Sequence, residues 1–457
     1  MTASALLLIM LLAFGLNTLF WTTVGLGRTV TSWWLRRRGR PSADRPGSTP
    51  LTPADVAVLV AAHNEELVIA ETIASAMSLV PTANVFVVSD GSSDRTADIV
   101  RAAGAQVLEL NPNRGKAGAL AAGIEHFDLC ERFQVVTMLD ADTHLAPDYL
   151  TTGLAQMNEP GVVAVAGRAT TISAPDQLTR FGRLLVAYRE RVYVAVQYLV
   201  KYGQAARWAD AVTIVPGFAS MYRTEALKQI DVSAPGLVIE DFNMTFEVHA
   251  KKLGRIAFHP QAAIAYTQDP DNFRDYVKQI RRWALGFWQT LRRHRLHVGR
   301  FWVALAAYVA ELVTSSLLFV LLVPLLLVSV VAGVFGNGAG SWELAGVLPP
   351  QAVLLGVLVP DFLLTVLAAV VSRRPHYLLY ALVFPVIRIV DAAMCLRTLP
   401  LAWRSRDTGV WRSPARRSNA KHRAGAVSAT PQMAAAAGRP PLRIVHEGDQ
   451  EPRSEIA

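Results

Sequence analysis

Cysteine is nearly absent: Cys130 and Cys395 are the only two in 457 residues. One lies in the polar middle of the chain and the other in an apolar block. No disulfide framework is implied, and a reducing compartment suits the central region. Charge is scarce as well, at 18% against a hydrophobic fraction of 52%, an apolar-shifted balance for a soluble protein. No basic residue precedes the first apolar run, which is too long for the core of a cleaved signal peptide, so a retained helix is expected there. There is no internal repeat and no nucleic-acid-binding motif. The net charge of +9 is therefore not read as a nucleic-acid footprint.

The apolar excess is concentrated in blocks, at residues 5–26, 301–335, 352–371 and 377–399. About 20 apolar residues cross the hydrocarbon core as a helix, so each block is a candidate span. Arginines follow the blocks: Arg36, Arg37, Arg38 and Arg40 after the first, Arg373 and Arg374 after the third, Arg404, Arg406, Arg412, Arg416 and Arg417 after the last. This is the positive-inside pattern, and Trp33 and Trp34 add an interfacial anchor. The expected organisation is an N-terminal transmembrane helix (1–35), a linker (36–54), a cytoplasmic catalytic domain with interfacial helices (55–300), a C-terminal transmembrane region (301–403) and a basic disordered tail (404–457). The expected location is a cell membrane, crossed several times. One helix entering from outside followed by three later spans would strand the basic tail outside. A cytoplasmic C-terminus is favoured, with the last block, which holds Arg388, Asp391 and Arg397, interfacial or re-entrant.

Between the blocks the pattern changes. Short apolar runs at 56–62, 85–89, 107–110 and 135–139 alternate with helical spacing at 65–78, 93–103 and 116–125. Such alternation predicts an α/β domain with a mostly parallel sheet covered on both faces. Ligands of such sheets bind at the carboxyl ends of the strands. Residues 177–202 and 273–294 carry helical apolar stripes beside basic residues, as amphipathic helices at a membrane surface or against the sheet would.

Four signatures fall in order: VSDGSSD at 88–94, LDADT at 139–143, IED at 239–241 and QIRRW at 279–283. Together they suggest an enzyme that takes a sugar from a nucleotide diphosphate. Asp90 ends one strand and is placed to accept hydrogen bonds from a base or ribose. Asn64 and Glu65 end the first strand at the same crevice. Lys116, in the turn NRGKAG, either meets phosphate or is an ordinary exposed lysine. Asp140 and Asp142 end another strand and can offer oxygens to Mg²⁺ or Mn²⁺, the usual partner of a leaving diphosphate. Glu240 and Asp241 are candidate bases. On an extended segment neighbours face opposite ways, so only one would serve; the alternative is an acid pair at a helix start. Gln279, Arg282 and Trp283 share one side of a helix, where Arg282 can steady a diphosphate and Trp283 can stack on a sugar.

As a set these motifs resemble the membrane-bound family 2 glycosyltransferases, among them cellulose, chitin, hyaluronan and poly-N-acetylglucosamine synthases. The resemblance covers about residues 55–295. It implies a GT-A fold and inverting transfer from a UDP-sugar, with Asp90 on the nucleotide, Asp140 on the donor, Asp142 closer to the metal and Asp241 as base. Gln279, Arg282 and Trp283 match the family's Q-x-x-R-W, at the acceptor and diphosphate end. The loop GFASMYR (217–223) resembles its small-residue segment near the acceptor. The sequence departs from the family in having Ile239 where Thr is usual and Ser89 where many members have a second Asp. The expected partners are a UDP-sugar, UDP-GlcNAc or UDP-glucose, the lipid bilayer, and a growing β-linked polysaccharide. The alternative acceptor is a membrane lipid, glycosylated once. A scaffold or transporter with a degenerate transferase domain is the non-enzymatic reading, and the full set of carboxylates argues against it.

Overall fold

Residues 56–62, VAVLVAA, have no polar side to turn to water, and they form a central strand, buried at all seven positions. The structure is a computed structural model describing residues 14–37, 50–172, 175–295, 297–335 and 350–404. Parts of the expected first helix (1–13), of the linker (38–49) and all but the first residue of the tail (405–457) lie outside the described residues. After a first helix, α1 (Leu16–Arg37), comes the central strand β1 (Val56–Ala62). Helix α2 (Ile69–Met77) leads to β2 (Val85–Asp90), α3 (Thr96–Ala102) to β3 (Gln106–Leu110), and α4 (Gly115–His126) to β4 (Val135–Asp140). These four strands are parallel, and their register sets Ala61 opposite both Val88 and Asp140. Asp90 and Asp140 therefore flank the carboxyl end of β1.

The chain continues through β5 (His144–Leu145), α5 (Tyr149–Met157), β6 (Val162–Ala166), β7 (Arg168–Thr171) and a long helix, α6 (Arg180–Val194). Beyond it lie β8 (Ala219–Arg223), α7 (Glu240–Ala250), β9 (Arg255–Ala257), β10 (Ile264–Thr267) and α8 (Phe273–His294). The main sheet has the order β3-β2-β1-β4-β8-β6-β9, and β8 alone runs antiparallel to its neighbours. A smaller sheet has the order β5-β10-β7. The domain is a GT-A-like mixed α/β fold with a mostly parallel central sheet. One expected boundary moves: the helix anticipated from 65 begins at Ile69, because Asn64 takes a left-handed backbone (φ 54) and the chain turns before the helix can start.

Three helices follow: α9 (Arg300–Phe335), α10 (Pro350–Val371) and α11 (Phe384–Arg404). Two stretches, Arg300–Leu322 and Leu354–Val371, are long and apolar enough to cross a membrane, and among the described residues there is no other. The last apolar block is therefore not a further such span; it folds as α11 and packs along α8 and α9. Gly15, between the helical Phe14 and the start of α1, takes a left-handed backbone (φ 95) inside the first apolar block. The Glu311 carboxylate on α9 accepts the Asn17 N–H at 2.6 Å and the Thr18 hydroxyl at 3.2 Å. An acid there complements the positive end of the helix.

Helix α6 ties the domain to these helices. It continues through a π-helical stretch, Ala195–Lys201, a form that breaks the ordinary helical repeat. The Gln197 amide accepts the Ala169 N–H at 2.7 Å and donates to the Ala169 carbonyl at 3.0 Å, standing in for a neighbouring strand at the edge of β7. Glu190 accepts from the Thr171 N–H at 2.7 Å, the Thr170 hydroxyl at 3.1 Å and the Ser372 hydroxyl, just past α10, at 2.9 Å. Gln197→Ala strands two backbone groups of β7, each worth about 1–3 kcal/mol when left unpaired. The expected result is a lower thermal unfolding midpoint of the purified protein, and an unchanged midpoint would remove this edge contact from the account.

Candidate active site

The carboxyl ends of β1 and β2 are knitted together before any ligand arrives. Asp90 is fully buried and its Oδ1 accepts the Arg114 N–H at 2.7 Å. Its backbone carbonyl lies 2.6 Å from His63 Nδ1 and accepts from Asn113 Nδ2 at 3.0 Å. Burial raises the Asp90 pKa, opposed by the N–H groups of Arg114 and Gly115. Asp90 Oδ2 is buried with no hydrogen-bond partner among the described residues, an acceptor left over for a ligand's N–H or O–H. Asn64 joins the two strand ends, its side-chain oxygen accepting the Ser93 N–H at 2.8 Å. Glu65 is fully buried and its N–H donates to the Thr96 hydroxyl at 2.9 Å. Asp94 accepts the N–H groups of Thr96 and Glu66, both at 3.0 Å, and holds the start of α3.

Lys116 joins signatures far apart in sequence. Its Nζ lies 2.6 Å from Asp140 Oδ1 and 2.7 Å from Glu240 Oε1, and 3.4 Å from the Gly217 carbonyl. Burial works against the ammonium, but Asp140 and Glu240 outweigh it and hold Lys116 well above the ordinary lysine range. Burial likewise opposes the Glu240 carboxylate, and Lys116, with Arg282 adding to it, brings Glu240 below its ordinary value. Lys116 is thus not an ordinary exposed lysine.

Glu240 and Asp241 open helix α7; they are not on an extended segment, so the alternation argument gives way to a first-turn geometry. Glu240 faces Lys116, while Asp241 Oδ1 accepts the Phe242 N–H at 2.7 Å and its Oδ2 the Gly217 N–H at 3.3 Å. Burial, then the neighbouring charge of Glu240, pushes the Asp241 pKa up to about 6. A carboxylate in that range can take and release a proton near neutrality. A Cβ at Gly217 would lie 2.9 Å from Glu240 Oε1 and 3.0 Å from Lys116 Nζ, so glycine is what lets the loop close over the acids.

Helix α8 brings in the fourth signature. Gly286 packs on Ile239, and Gln289 accepts the Val238 N–H at 3.0 Å, which sets α8 against the segment leading into α7. Arg282 is exposed and acts electrostatically on Glu240. Gln279 keeps a buried side-chain oxygen with no hydrogen-bond partner among the described residues. Trp283 has one face covered: the Arg189 guanidinium lies 4.2 Å from its ring centroid. Arg189 is itself buried and bonded to Asp269 at 3.1 Å and to the Tyr193 hydroxyl at 2.9 Å. A sugar stacking on Trp283 would use the remaining face.

Asp142 is buried in the turn after β4, where the Thr143 N–H donates to the Asp140 carbonyl at 3.1 Å. Among the described residues no group of three or more His, Cys, Asp or Glu is arranged to hold a metal ion. Mg²⁺ and its like prefer oxygen ligands and are often held by one or two carboxylates plus substrate phosphates. Asp140 and Asp142 fit that second mode, in which the ion comes with a diphosphate, and do not form an all-protein cage.

Two side chains escaped the sequence reading. His63 belongs to the crevice through its bond to the Asp90 carbonyl; its position just before Asn64 was the available signal. Lys201, 5% exposed, lies in electrostatic range of Asp241, and burial lowers its ammonium to about 8 with Asp241 opposing. In sequence it looks like one more basic residue of an amphipathic helix.

Comparison with known proteins bears on this constellation. Poly-beta-1,6-N-acetyl-D-glucosamine synthase of Staphylococcus epidermidis is 26% identical over 257 residues, covering 53% of this chain and 58% of the relative. The probable glycosyltransferase YdaM of Bacillus subtilis is 32% identical over 247 residues, covering 50% and 54%. The chain thus spans little more than half the length of these curated relatives. Among solved structures, a mannosyltransferase from Pyrobaculum calidifontis in complex with GDP-Man and Mn²⁺ aligns at 19% identity and a TM-score of 0.45, over 81% of this chain and 98% of that one. The profile of the family described as glycosyltransferase like family 2 matches residues 53–286. That match takes in just over half of the chain and all four signatures: the protein belongs to glycosyltransferase-like family 2.

Proposed function

We propose that the protein transfers a sugar from a UDP-sugar, UDP-GlcNAc or UDP-glucose, with inversion, onto a growing β-linked polysaccharide at the cytoplasmic face of a membrane. The observation that carries this reading is the single ion-pair group in which Lys116 holds Asp140 and Glu240, with Asp241 next in the chain. The donor-side and acceptor-side acids share one lysine. Asp241 takes the proton of the acceptor hydroxyl, whose oxygen attacks the anomeric carbon opposite the diphosphate. The bond from that carbon to the diphosphate breaks, its electron pair leaves with UDP, and configuration inverts. Lys116 and Arg282 face the charge that develops on the leaving group. Asp90 and the neighbouring loop ends hold the nucleotide, and Gln279 and Trp283 hold the acceptor. A divalent cation at Asp140 and Asp142 supplies further neutralisation of the diphosphate when bound. Membranes incubated with a panel of labelled UDP-sugars test the whole reading. A polymer on a gel supports it, whereas a discrete glycolipid on a thin-layer plate supports single transfer to a lipid instead.

Asp241→Asn should reduce transfer by roughly 10²–10⁴-fold, the usual worth of a positioned base, while UDP still binds; equal turnover would rule Asp241 out. Because the ionised form of Asp241 is the base, kcat/KM should climb with pH up to about 6 and level off above it. A profile flat from pH 5 to 8 contradicts that assignment. Asp142→Ala should weaken metal-dependent donor binding, visible as a right-shifted Mg²⁺ or Mn²⁺ titration, and an unmoved titration would take Asp142 out of the metal site.

A further inference from the structure

A cavity of about 170 Å³ lies between α1, α6, α10 and α11 and shares no residue with the site above. Its polar wall is Thr18, Tyr188, Arg191 and Arg388; the rest is apolar, including Val196 and Leu364. Two cations line it and no acid does. One acid pairs with both, Asp361 on α10, which stands outside the wall, with Arg191 Nη1 at 2.8 Å from its Oδ2 and Arg388 Nη1 at 3.4 Å from its Oδ1. The remaining hydroxyls are already committed as donors, Thr18 to Glu311 at 3.2 Å and Tyr188 to Asp391 at 2.7 Å. The Arg191 side chain is 3% exposed, yet its Nε–H has no hydrogen-bond acceptor among the described residues. Arg191 lines the cavity, and a buried guanidinium donor without an acceptor leaves a place for an oxygen from outside the chain.

The setting says which anion. The cavity borders α10, whose Leu354–Val371 stretch is apolar enough for a membrane. The outer face of that helix exposes Leu355, Val359, Phe362 and Leu363. Basic pockets between membrane helices on the cytoplasmic side bind anionic lipid head groups. We propose that this cavity binds the phosphate of an anionic phospholipid from the surrounding bilayer, with Arg191 and Arg388 on the phosphate and the acyl chains lying along Val196 and Leu364. The proposal rests on the membrane reading of α9 and α10 and is independent of the transfer chemistry.

The test titrates the purified full-length chain in neutral detergent with short-chain phosphatidylglycerol, phosphatidylcholine or inorganic phosphate, following the thermal midpoint. Phosphatidylglycerol should raise the midpoint saturably, and the other two should not. Arg388→Gln removes one cation, and Ala195→Leu fills the cavity without touching a charge. Each should weaken the apparent affinity for phosphatidylglycerol roughly tenfold. Should Arg388→Gln fail to fold, Ala195→Leu carries the test alone. An equal response to phosphatidylcholine, or an unaltered response in Ala195→Leu, overturns the site. An equal response to inorganic phosphate overturns the lipid assignment. A saturable phosphatidylglycerol response in a protein that transfers from no UDP-sugar would sink the proposed activity and leave this site standing.

Discussion

The ammonium of Lys116 is the contact on which the rest of the site depends. Asp140 ends β4 and Glu240 begins α7, and both turn inward toward the same point. A part-exposed Asp140 and a buried Glu240 so placed repel each other, and a counter-charge between them relieves that repulsion. Lys116 supplies it, reaching from the first turn of α4, where the NRGKAG turn sets it after Gly115 (φ 76). With Glu240 kept ionised, its field falls on Asp241 and helps lift that neighbour toward neutrality. One lysine therefore holds Glu240 down, and the charge it preserves there joins burial in lifting Asp241, against the lysine's own direct pull.

Helix α6 does the corresponding job on a larger scale. Consecutive residues along it each find a different neighbour: Tyr188 bonds α11, Arg189 meets Asp269 and Trp283, Glu190 closes on β7, and Arg191 pairs with Asp361 on α10. A regular amphipathic helix has one sticky face; this one is bonded around much of its circumference. The indole of the fourth signature is thus held by a residue whose neighbour in sequence is anchored to an apolar helix. The sheet, Trp283 and the helices form one connected framework.

Much of the sheet was legible because buried parallel strands must be apolar throughout. The runs at 56–62, 85–89 and 135–139 appear as strands within a residue of their expected ends. Asp90 and Asp140 were legible as strand-end acids because the register of parallel neighbours aligns such ends. Less legible was anything decided by long-range partners. Glu240 and Asp241 fit either an extended segment or a helix start by sequence, since an apolar run precedes them and a helical stretch follows; the structure bears out the helix start. The function of Lys116 depends on acids 24 and 124 positions away in the chain, which no spacing rule encodes. The last apolar block carries Arg388, Asp391 and Arg397, and its packing along α8 and α9 depends on partners that composition does not name.

The reversed direction of β8 deserves its own reckoning. Running against β4 and β6, it presents its beginning where β4 ends, so that the Asp140 N–H donates to the Phe218 carbonyl at 3.2 Å. Gly217 and Phe218, the two residues that lead into β8, are thereby brought against the end of β4 and against Lys116, Glu240 and Asp241. One strand laid against the grain thus returns a later stretch of chain to the strand ends, where the acids of the earlier strands already lie.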